Sequence, residues 1–171
     1  MTRYFLLGLC TVLLGMNTVF AAGLTGLPVD DAAFKSLHKS GYAIQVANGL
    51  DVAYYTDNHE YTVGLGGLTL AAVNNTSYIA PSIFFRKNYA FTTSTTLGFG
   101  ASMGTAFGKK GGVDIEGAFR FKPYVFFEYA ANQNILLGVS VALFESSTYA
   151  AGGTNSVEFL KGSSVQIAIL F

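Results

Sequence analysis

Cysteine, tryptophan and charge are scarce in this sequence. Cys10 is the only cysteine among the 171 residues, so the chain cannot form an internal disulfide or a site built from several cysteines. Charged residues make up 12% of the sequence, which is low for the outer face of a soluble β-sandwich. Ten basic and ten acidic residues leave no formal net charge at pH 7, and this balance argues against nucleic-acid binding.

The first 21 residues have the layout of a secretory signal peptide. Arg3 gives a positive start, Tyr4–Met16 is almost wholly apolar, and Val19–Ala21 has small residues where a cleavage site needs them. We expect residues 1–21 to be removed, which also removes Cys10. The alternative is an uncleaved membrane helix over Tyr4–Ala22.

The rest of the chain delivers its hydrophobicity in alternation. No stretch after residue 21 approaches the ~20 apolar residues of a transmembrane helix. Near the C-terminus, Val165, Ile167, Ile169 and Phe171 share one parity, and the residues between them are mostly polar or small. Because successive side chains of a strand point to opposite faces, this pattern predicts a strand with one apolar face.

Eight such strands are predicted. The fold class is therefore all-β, an eight-stranded antiparallel transmembrane β-barrel over residues 42–171, and an even count keeps both ends of the barrel on one side. The predicted strands are Tyr42–Ala47, Leu50–Thr56, Tyr61–Val73, Thr76–Arg86, Tyr89–Ala106, Val113–Ala130, Ile135–Phe144 and Val157–Phe171. The predicted connections are Asn48-Gly49, Asp57–Glu60, Asn74-Asn75, Lys87-Asn88, Gly108–Gly112, Asn132–Asn134 and Glu145–Ser156.

Residues 22–41 form a predicted N-terminal segment with one short helix. Within Asp30–Lys39, acidic residues come first and basic residues last, an order that suits the helix dipole, and Gly41 can end the helix. Phe34 and Leu37 are then expected to touch the barrel rim or the lipid surface.

The sequence leaves three points of the strand pattern open. If Tyr42–Thr56 is a single strand, the barrel needs another strand from Leu24–Lys39. Gly66-Gly67 suggests a bulge. Pro81 and Pro123 each remove a ladder donor and predict a bulge or a wet local site, although Pro123 can instead mark a break between two shorter strands.

The candidate functional residues are charges on one face of the strand Val113–Ala130. The even positions of this strand hold all its charges. An Arg or Lys facing lipid at mid-depth would cost about 2–4 kcal/mol, so this face is predicted to point into the lumen or, near the outer end, into water. We call these residues, with Arg86 of a neighbouring strand, the lumen charge network: Asp114, Glu116, Arg120, Lys122, Glu128 and Arg86. Gln45, Ser140 and Gln166 are expected to add polar groups.

The lumen charge network has two interpretations. An eight-stranded barrel is just wide enough to be filled by its own side chains, so the simpler interpretation is a set of interior ion pairs that locks the barrel. The alternative is a charged conduit or a binding site.

Two surface features accompany the barrel pattern. Lys109 and Lys110, in the predicted loop Gly108–Gly112, are placed to meet anionic lipopolysaccharide or a surface partner, with a solvated loop as the alternative. Eight aromatic residues are predicted near the periplasmic ends of the strands as an interfacial girdle: Tyr42, Tyr54, Tyr61, Phe85, Tyr89, Phe127, Tyr129 and Phe171.

No catalytic residue, metal site or cofactor is predicted. His38 and His59 are the only histidines, and they are too far apart in the sequence for a recognisable metal-ligand motif. The predicted topology puts both on the periplasmic side, where we interpret each as a solvated polar residue. A general base needs a positioned partner near a substrate, and spacing alone supplies none.

This layout resembles the small OmpX/OmpA-type outer-membrane barrels. The shared features are the signal peptide, the eight alternating strands and the terminal Val165-x-Ile167-x-Ile169-x-Phe171. The resemblance implies a bacterial outer-membrane location, contact with outer-membrane lipids and lipopolysaccharide, and a role for Phe171 in a signal read by the barrel-assembly machinery.

A helix before a small barrel also resembles the lipid A palmitoyltransferase family. That family places its catalytic histidine on the outer-surface side, whereas His38 and His59 are predicted on the other side, so the activity is not carried over. The expected function is a non-enzymatic outer-membrane barrel with a structural or surface-interaction role. The alternatives are a narrow channel through the charged lumen and a lipid-modifying outer-membrane enzyme.

Overall fold

The structure is a computed structural model that describes residues 29–47, 49–67, 71–73, 76–110, 113–114, 118–148, 156–160 and 162–171. Helix α1 spans Asp31–Leu37, and a 3-10 helix spans Asp57–His59. The strands are β1 (Gly41–Val46), β2 (Leu50–Tyr55), β3 (Tyr61–Gly66), β4 (Ala71–Val73), β5 (Thr76–Ile79), β6 (Ser82–Thr92), β7 (Thr95–Lys110), β8 (Val113–Asp114), β9 (Ala118–Asn132), β10 (Ile135–Ala142), β11 (Phe144–Thr148), β12 (Ser156–Phe159) and β13 (Ser163–Leu170). Within the described ranges, no helix is long and apolar enough to cross a membrane.

Eight strands close into an antiparallel barrel, in the order β1, β2, β3, β6, β7, β9, β10 and β13. The ring closes where β13 pairs with β1 and sets Ile44 opposite Ile169. The predicted eight-stranded antiparallel barrel with a short N-terminal helix is confirmed. β1 and β2 are separate strands that pair from Gly41↔Tyr55 to Val46↔Leu50, so the alternative of one strand over Tyr42–Thr56 is wrong.

The two ends of the barrel differ. One end, here the plug end, carries α1, the 3-10 helix and the turns at Thr93-Ser94 and Gln133-Asn134. The other, the cavity end, carries the β1–β2 tip and the paired strands β4, β5, β8, β11 and β12, which extend the sheet beyond the ring. β1, β2 and β3 have six residues each, whereas β6, β7 and β9 have 11, 16 and 15, so the ring strands are shortest from β1 to β3.

Side chains alternate between the lumen and the outer surface. On β10, Ile135, Leu137, Val139 and Val141 are exposed, while Leu136 is completely buried. Glycines make room for the large interior side chains, as is common in small barrels. A Cβ at position 138 would lie 2.5 Å from the ring of Phe126.

The strand breaks lie where the closed ring ends. β5 and β6 are separated at Ala80-Pro81, and the carbonyl of Pro81 accepts from the N–H of Thr105 at 3.1 Å. β3 ends at Gly66, and Gly67 follows with a φ of 75°.

Pro123 lies inside the continuous strand β9, so the alternative that it separates two strands is wrong. The neighbouring strand breaks instead, at Leu143 between β10 and β11, where the N–H of Leu143 donates to the carbonyl of Pro123 at 2.9 Å. The strand next to β9 therefore breaks opposite the proline, which has no N–H group to donate to the ladder.

The predicted turn at Lys87-Asn88 is wrong. Both residues lie within β6, and the turn comes at Thr93-Ser94. This polar pair looks like a turn in the sequence because both of its side chains are hydrophilic. Asn88 instead points inward and donates to the carbonyl of His59 at 2.7 Å, while the ammonium of Lys87 lies 5.4 Å from the ring centre of Tyr61.

Three other boundaries shift. The helix is shorter than Asp30–Lys39, because Asp30 is the N-cap and accepts from the N–H groups of Ala32 and Ala33 at 3.0 and 3.1 Å. The predicted loops Gly108–Gly112 and Glu145–Ser156 are also too long, because β7 continues to Lys110 and β11 to Thr148. The predicted signal peptide and the turn Asn74-Asn75 lie outside the described residues.

Candidate functional site in the barrel lumen

The N-terminal segment covers the plug end of the lumen. Phe34 is 6% exposed, and Leu37 packs against the inward-facing core of the barrel. After the helix, the carbonyl of Lys39 lies 2.9 Å from Nε2 of His59, and Nζ of Lys39 donates to Oε1 of Gln133 at 2.6 Å. These bonds tie the segment to two different turns of the barrel.

A buried polar network lies directly above this plug. Oε1 of Glu128 is 3.3 Å from Nδ1 of His59, and Oε2 accepts from the hydroxyl of Tyr55 at 3.0 Å. That hydroxyl accepts in turn from Nε2 of Gln45 at 2.7 Å and from the guanidinium of Arg86 at 3.1 Å. All five side chains are at most 1% exposed, so the network is closed to solvent.

Both histidines belong to this buried region, so their interpretation as solvated residues is wrong. His38 is 1% and His59 0% exposed, and their ring centres are 4.9 Å apart. Burial lowers the pKa of His38 below its ordinary value of 6.5, although its Nδ1 contacts the carbonyl of Phe34 at 3.0 Å. The sequence carries no signal for this pairing, because it depends on how the plug folds back onto the 3-10 helix.

Arg86 occupies the next level of the lumen. Its guanidinium carbon lies 3.9 Å from the ring centre of Phe126, 5.5 Å from that of Phe84 and 5.6 Å from that of Tyr55. Arg86 and Phe126 are each 1% exposed. A desolvated guanidinium enclosed by aromatic faces is a favourable cation–π arrangement. This aromatic–guanidinium layer lies between Glu128 and the cavity, and Arg86 belongs both to the buried network and to the cavity lining.

Beyond this layer the lumen opens into a cavity of about 420 Å³. Its walls combine aromatic rings, hydroxyls, amides and charges. The charged wall residues are Asp51, Arg86, Arg120, Lys122 and Glu145. Uncharged polar wall residues include Gln45, Ser82, Ser102, Tyr124, Ser140, Ser164 and Gln166.

The wall charges differ in how they are neutralised. Nε of Arg120 donates to Oε1 of Glu145 at 2.8 Å, and a second nitrogen of Arg120 binds the same oxygen. Oδ1 of Asp51 accepts from the N–H of Gly67 at 2.9 Å. Lys122 forms no ion pair within 4.0 Å in the part of the chain that the structure describes.

The lumen charge network of the sequence analysis is thus distributed over several levels. Arg86 and Glu128 are buried in the interior, and Arg120 and Lys122 line the cavity. Asp114 lies in β8, where its backbone pairs with that of Lys109 beyond the ring. Glu116 lies outside the described residues.

Six of the eight girdle residues lie near the plug ends of their strands, whereas Phe85 and Phe127 lie further along β6 and β9, beside Arg86 and Glu128. Phe171 is 70% exposed, and its N–H donates to the carbonyl of Tyr42 at 3.0 Å. The rings of Tyr42 and Tyr54 are 5.1 Å apart on the outer surface, and Lys87 lies between the rings of Tyr61 and Tyr89.

Sequence reasoning missed Asp51, Tyr55 and Tyr124 as lumen residues. Parity could have found Tyr55, because Tyr54 was assigned to the outer surface and its neighbour must then point inward. Asp51 lies four residues before Tyr55, so the same parity predicts that its side chain also points inward. Across the described part of the chain, no group of three or more His, Cys, Asp or Glu side chains is arranged to hold a metal ion. Comparison with protein-family models, curated proteins and solved structures gives no match to this chain.

Proposed function

We propose that this chain is a non-enzymatic β-barrel of the bacterial outer membrane with a structural or surface-interaction role. The observation that carries the proposal is the apolar outer surface of the ring. Exposed apolar residues occur on all eight ring strands: Tyr42, Ile44 and Val46 on β1, Leu50, Val52 and Tyr54 on β2, Val63 and Leu65 on β3, Ile83 and Phe85 on β6, Met103 on β7, Phe127 and Tyr129 on β9, Ile135, Leu137, Val139 and Val141 on β10, and Val165, Ile167 and Ile169 on β13.

Bilayer physics connects this surface to a membrane. An unpaired backbone group in hydrocarbon costs several kcal/mol, and a closed barrel leaves none on its ring. The charges of Arg86 and Glu128 lie inside the ring, where they are paired or enclosed. An apolar outside around a polar inside is the arrangement expected of a protein solvated by lipid rather than by water.

The orientation proposed here puts the plug end in the periplasm and the cavity end outside the cell. Lys87, between Tyr61 and Tyr89, then lies at the periplasmic interface, where aromatic rings and a lysine ammonium are both well solvated. Phe171 lies at the same end, as an assembly signal would. The strands beyond the ring would meet lipopolysaccharide or a surface partner.

A narrow channel is the second candidate, because charges line the cavity. The aromatic–guanidinium layer supports the non-conducting alternative, since Arg86 and Phe126 are both almost completely buried.

Membrane extraction tests the proposal. We expect the protein to remain in the outer-membrane fraction after a high-pH carbonate wash and to need detergent for release. Recovery of folded protein in water without detergent would overturn it.

A further inference from the structure

The cavity contains more hydrogen-bond donors than the protein itself satisfies. Among the buried atoms of the described residues, Nε of Arg86 and Nε2 of Gln166 have no acceptor, and both side chains line the cavity. They are 1% and 8% exposed, so bulk water does not satisfy them freely. A buried donor without an acceptor costs about 1–3 kcal/mol, and a ligand oxygen would recover that cost.

The charges that line the cavity also favour a ligand with a negatively charged group. Three cationic side chains, Arg86, Arg120 and Lys122, face two acidic ones, Asp51 and Glu145. Glu145 already pairs with Arg120, and one oxygen of Asp51 already accepts from the N–H of Gly67. Neither Lys122 nor Arg86 has a carboxylate within 4.0 Å among the described residues, and the guanidinium of Arg86 donates to the hydroxyl of Tyr55 instead.

We propose that this cavity binds a small ligand through one anionic group, a phosphate or a carboxylate, held by Lys122, Arg86 and Gln166. Charge-assisted hydrogen bonds to such oxygens are roughly twice as strong as neutral ones. The volume of about 420 Å³ leaves space for the rest of a small polar molecule. Ser102, Ser140 and Ser164 also line the cavity, and Oγ of Ser140 lies 2.7 Å from Oγ of Ser164.

The anionic group has two sources, a free solute and a lipid headgroup. Ala47 and Gly49 of the β1–β2 tip line the cavity, and β1 and β2 are among the shortest ring strands. A headgroup at the membrane surface therefore has a short path over this tip into the cavity. The inference does not depend on the outer-membrane proposal, because detergent-solubilised protein is sufficient to test it.

Asp51 provides an internal test of the sign of the ligand charge. It lines the same cavity as Arg86 and Lys122 and lies within electrostatic range of both. Asp51→Asn keeps an oxygen for the N–H of Gly67 but removes a negative charge, so it should strengthen anion binding. Lys122→Gln removes one of the two cations without a carboxylate partner and should weaken binding about tenfold, as expected for one charge-assisted hydrogen bond. Lys87→Gln makes the same charge change on the outer surface and should have no effect.

The experiment is an NMR titration of the protein in zwitterionic detergent with inorganic phosphate and, separately, with acetate. A parallel titration uses short-chain phosphatidylglycerol, with phosphatidylcholine as its control. Saturable binding of the free anions, tighter in Asp51→Asn and weaker in Lys122→Gln, supports a solute ligand. The same pattern with phosphatidylglycerol alone supports a headgroup. Absence of saturable binding in every titration, or equal binding by wild type and Lys122→Gln, overturns the proposal, and thermal unfolding of each variant confirms that it is folded.

Discussion

Nδ1 of His59 lies 3.3 Å from Oε1 of Glu128, and neither side chain has any exposure to solvent. Nε2 of the same ring faces the carbonyl of Lys39 at 2.9 Å. Both ring nitrogens of His59 therefore face oxygen atoms of the protein. The two contacts of His59 join the N-terminal plug, the 3-10 helix and β9.

Glu128→Gln should destabilise the barrel. The amide keeps the shape of the carboxylate but removes the negative charge that lies near the guanidinium of Arg86, and breaking a buried charge pair costs about 3–5 kcal/mol. We expect a loss of about 3 kcal/mol in the free energy of unfolding, measured by urea unfolding in lipid or detergent. Glu60→Gln, at an exposed position, is the matched control. Equal stability of the two variants would show that the buried network contributes little.

The contact between Gly138 and Phe126 predicts a size-dependent coupling. A Cβ at position 138 would lie 2.5 Å and 2.9 Å from two ring atoms of Phe126, so Gly138→Ala should cost about 1–3 kcal/mol through overpacking. Phe126→Leu shortens the opposing side chain and should reduce that cost. A double-mutant cycle on unfolding free energies measures the coupling, and additive effects would contradict the packing described here.

Acidification should loosen the plug through His38. Burial lowers its pKa in the folded state below 6.5, so the unfolded chain binds more protons in the interval between the two values. Stability is therefore full above 6.5, falls as the pH drops below it, and levels off below the pKa of the folded state. His59 and Glu128 face the same ring.

The variant His38→Phe isolates the contribution of His38. It keeps the ring that stacks on Phe34, with ring centres 4.0 Å apart in the wild type, and it removes the titration. The loss of stability on acidification, followed by urea unfolding, should be smaller in His38→Phe than in wild type. An identical pH dependence in both proteins would assign the effect elsewhere.

The aromatic–guanidinium layer predicts a barrel that does not conduct steadily. Wild-type protein in planar bilayers should give no sustained single-channel current, because Arg86 and Phe126 are almost completely buried and contact each other across the lumen. Arg86→Ala removes the guanidinium and should allow small ions to pass. Steady wild-type currents that Arg86→Ala leaves unchanged would contradict this interpretation.

The alternation of side chains made the ring predictable from the sequence, because period 2 sets both the strand and its inward face. The ends of the strands are harder to predict, because contacts between residues far apart in the sequence decide where they lie. Asn88 looked like part of a turn because its partners, the carbonyl of His59 and the hydroxyl of Thr62, lie more than 25 residues away in the chain. The break opposite Pro123 is also hard to predict, because it lies at Leu143 between β10 and β11 and not in β9 itself.

The alternation of side chains in the sequence predicts the candidate site only in part. The parity of Val113–Ala130 grouped Arg120, Lys122 and Glu128 on one face, but it could not divide that face into a buried network and a cavity. The division depends on Phe126 and Arg86 meeting across the lumen, a contact between β9 and β6, which are not neighbours in the ring.

The most direct test of the barrel in its membrane uses the absence of tryptophan from the sequence. Val139 and Ser140 are neighbours on β10, with Val139 on the outer surface and Ser140 on the cavity wall. Single-tryptophan variants Val139→Trp and Ser140→Trp are reconstituted in bilayers containing brominated lipid, which quenches tryptophan on contact. The account predicts strong quenching of Val139→Trp and little of Ser140→Trp, and equal quenching of the two, or none of either, would contradict it.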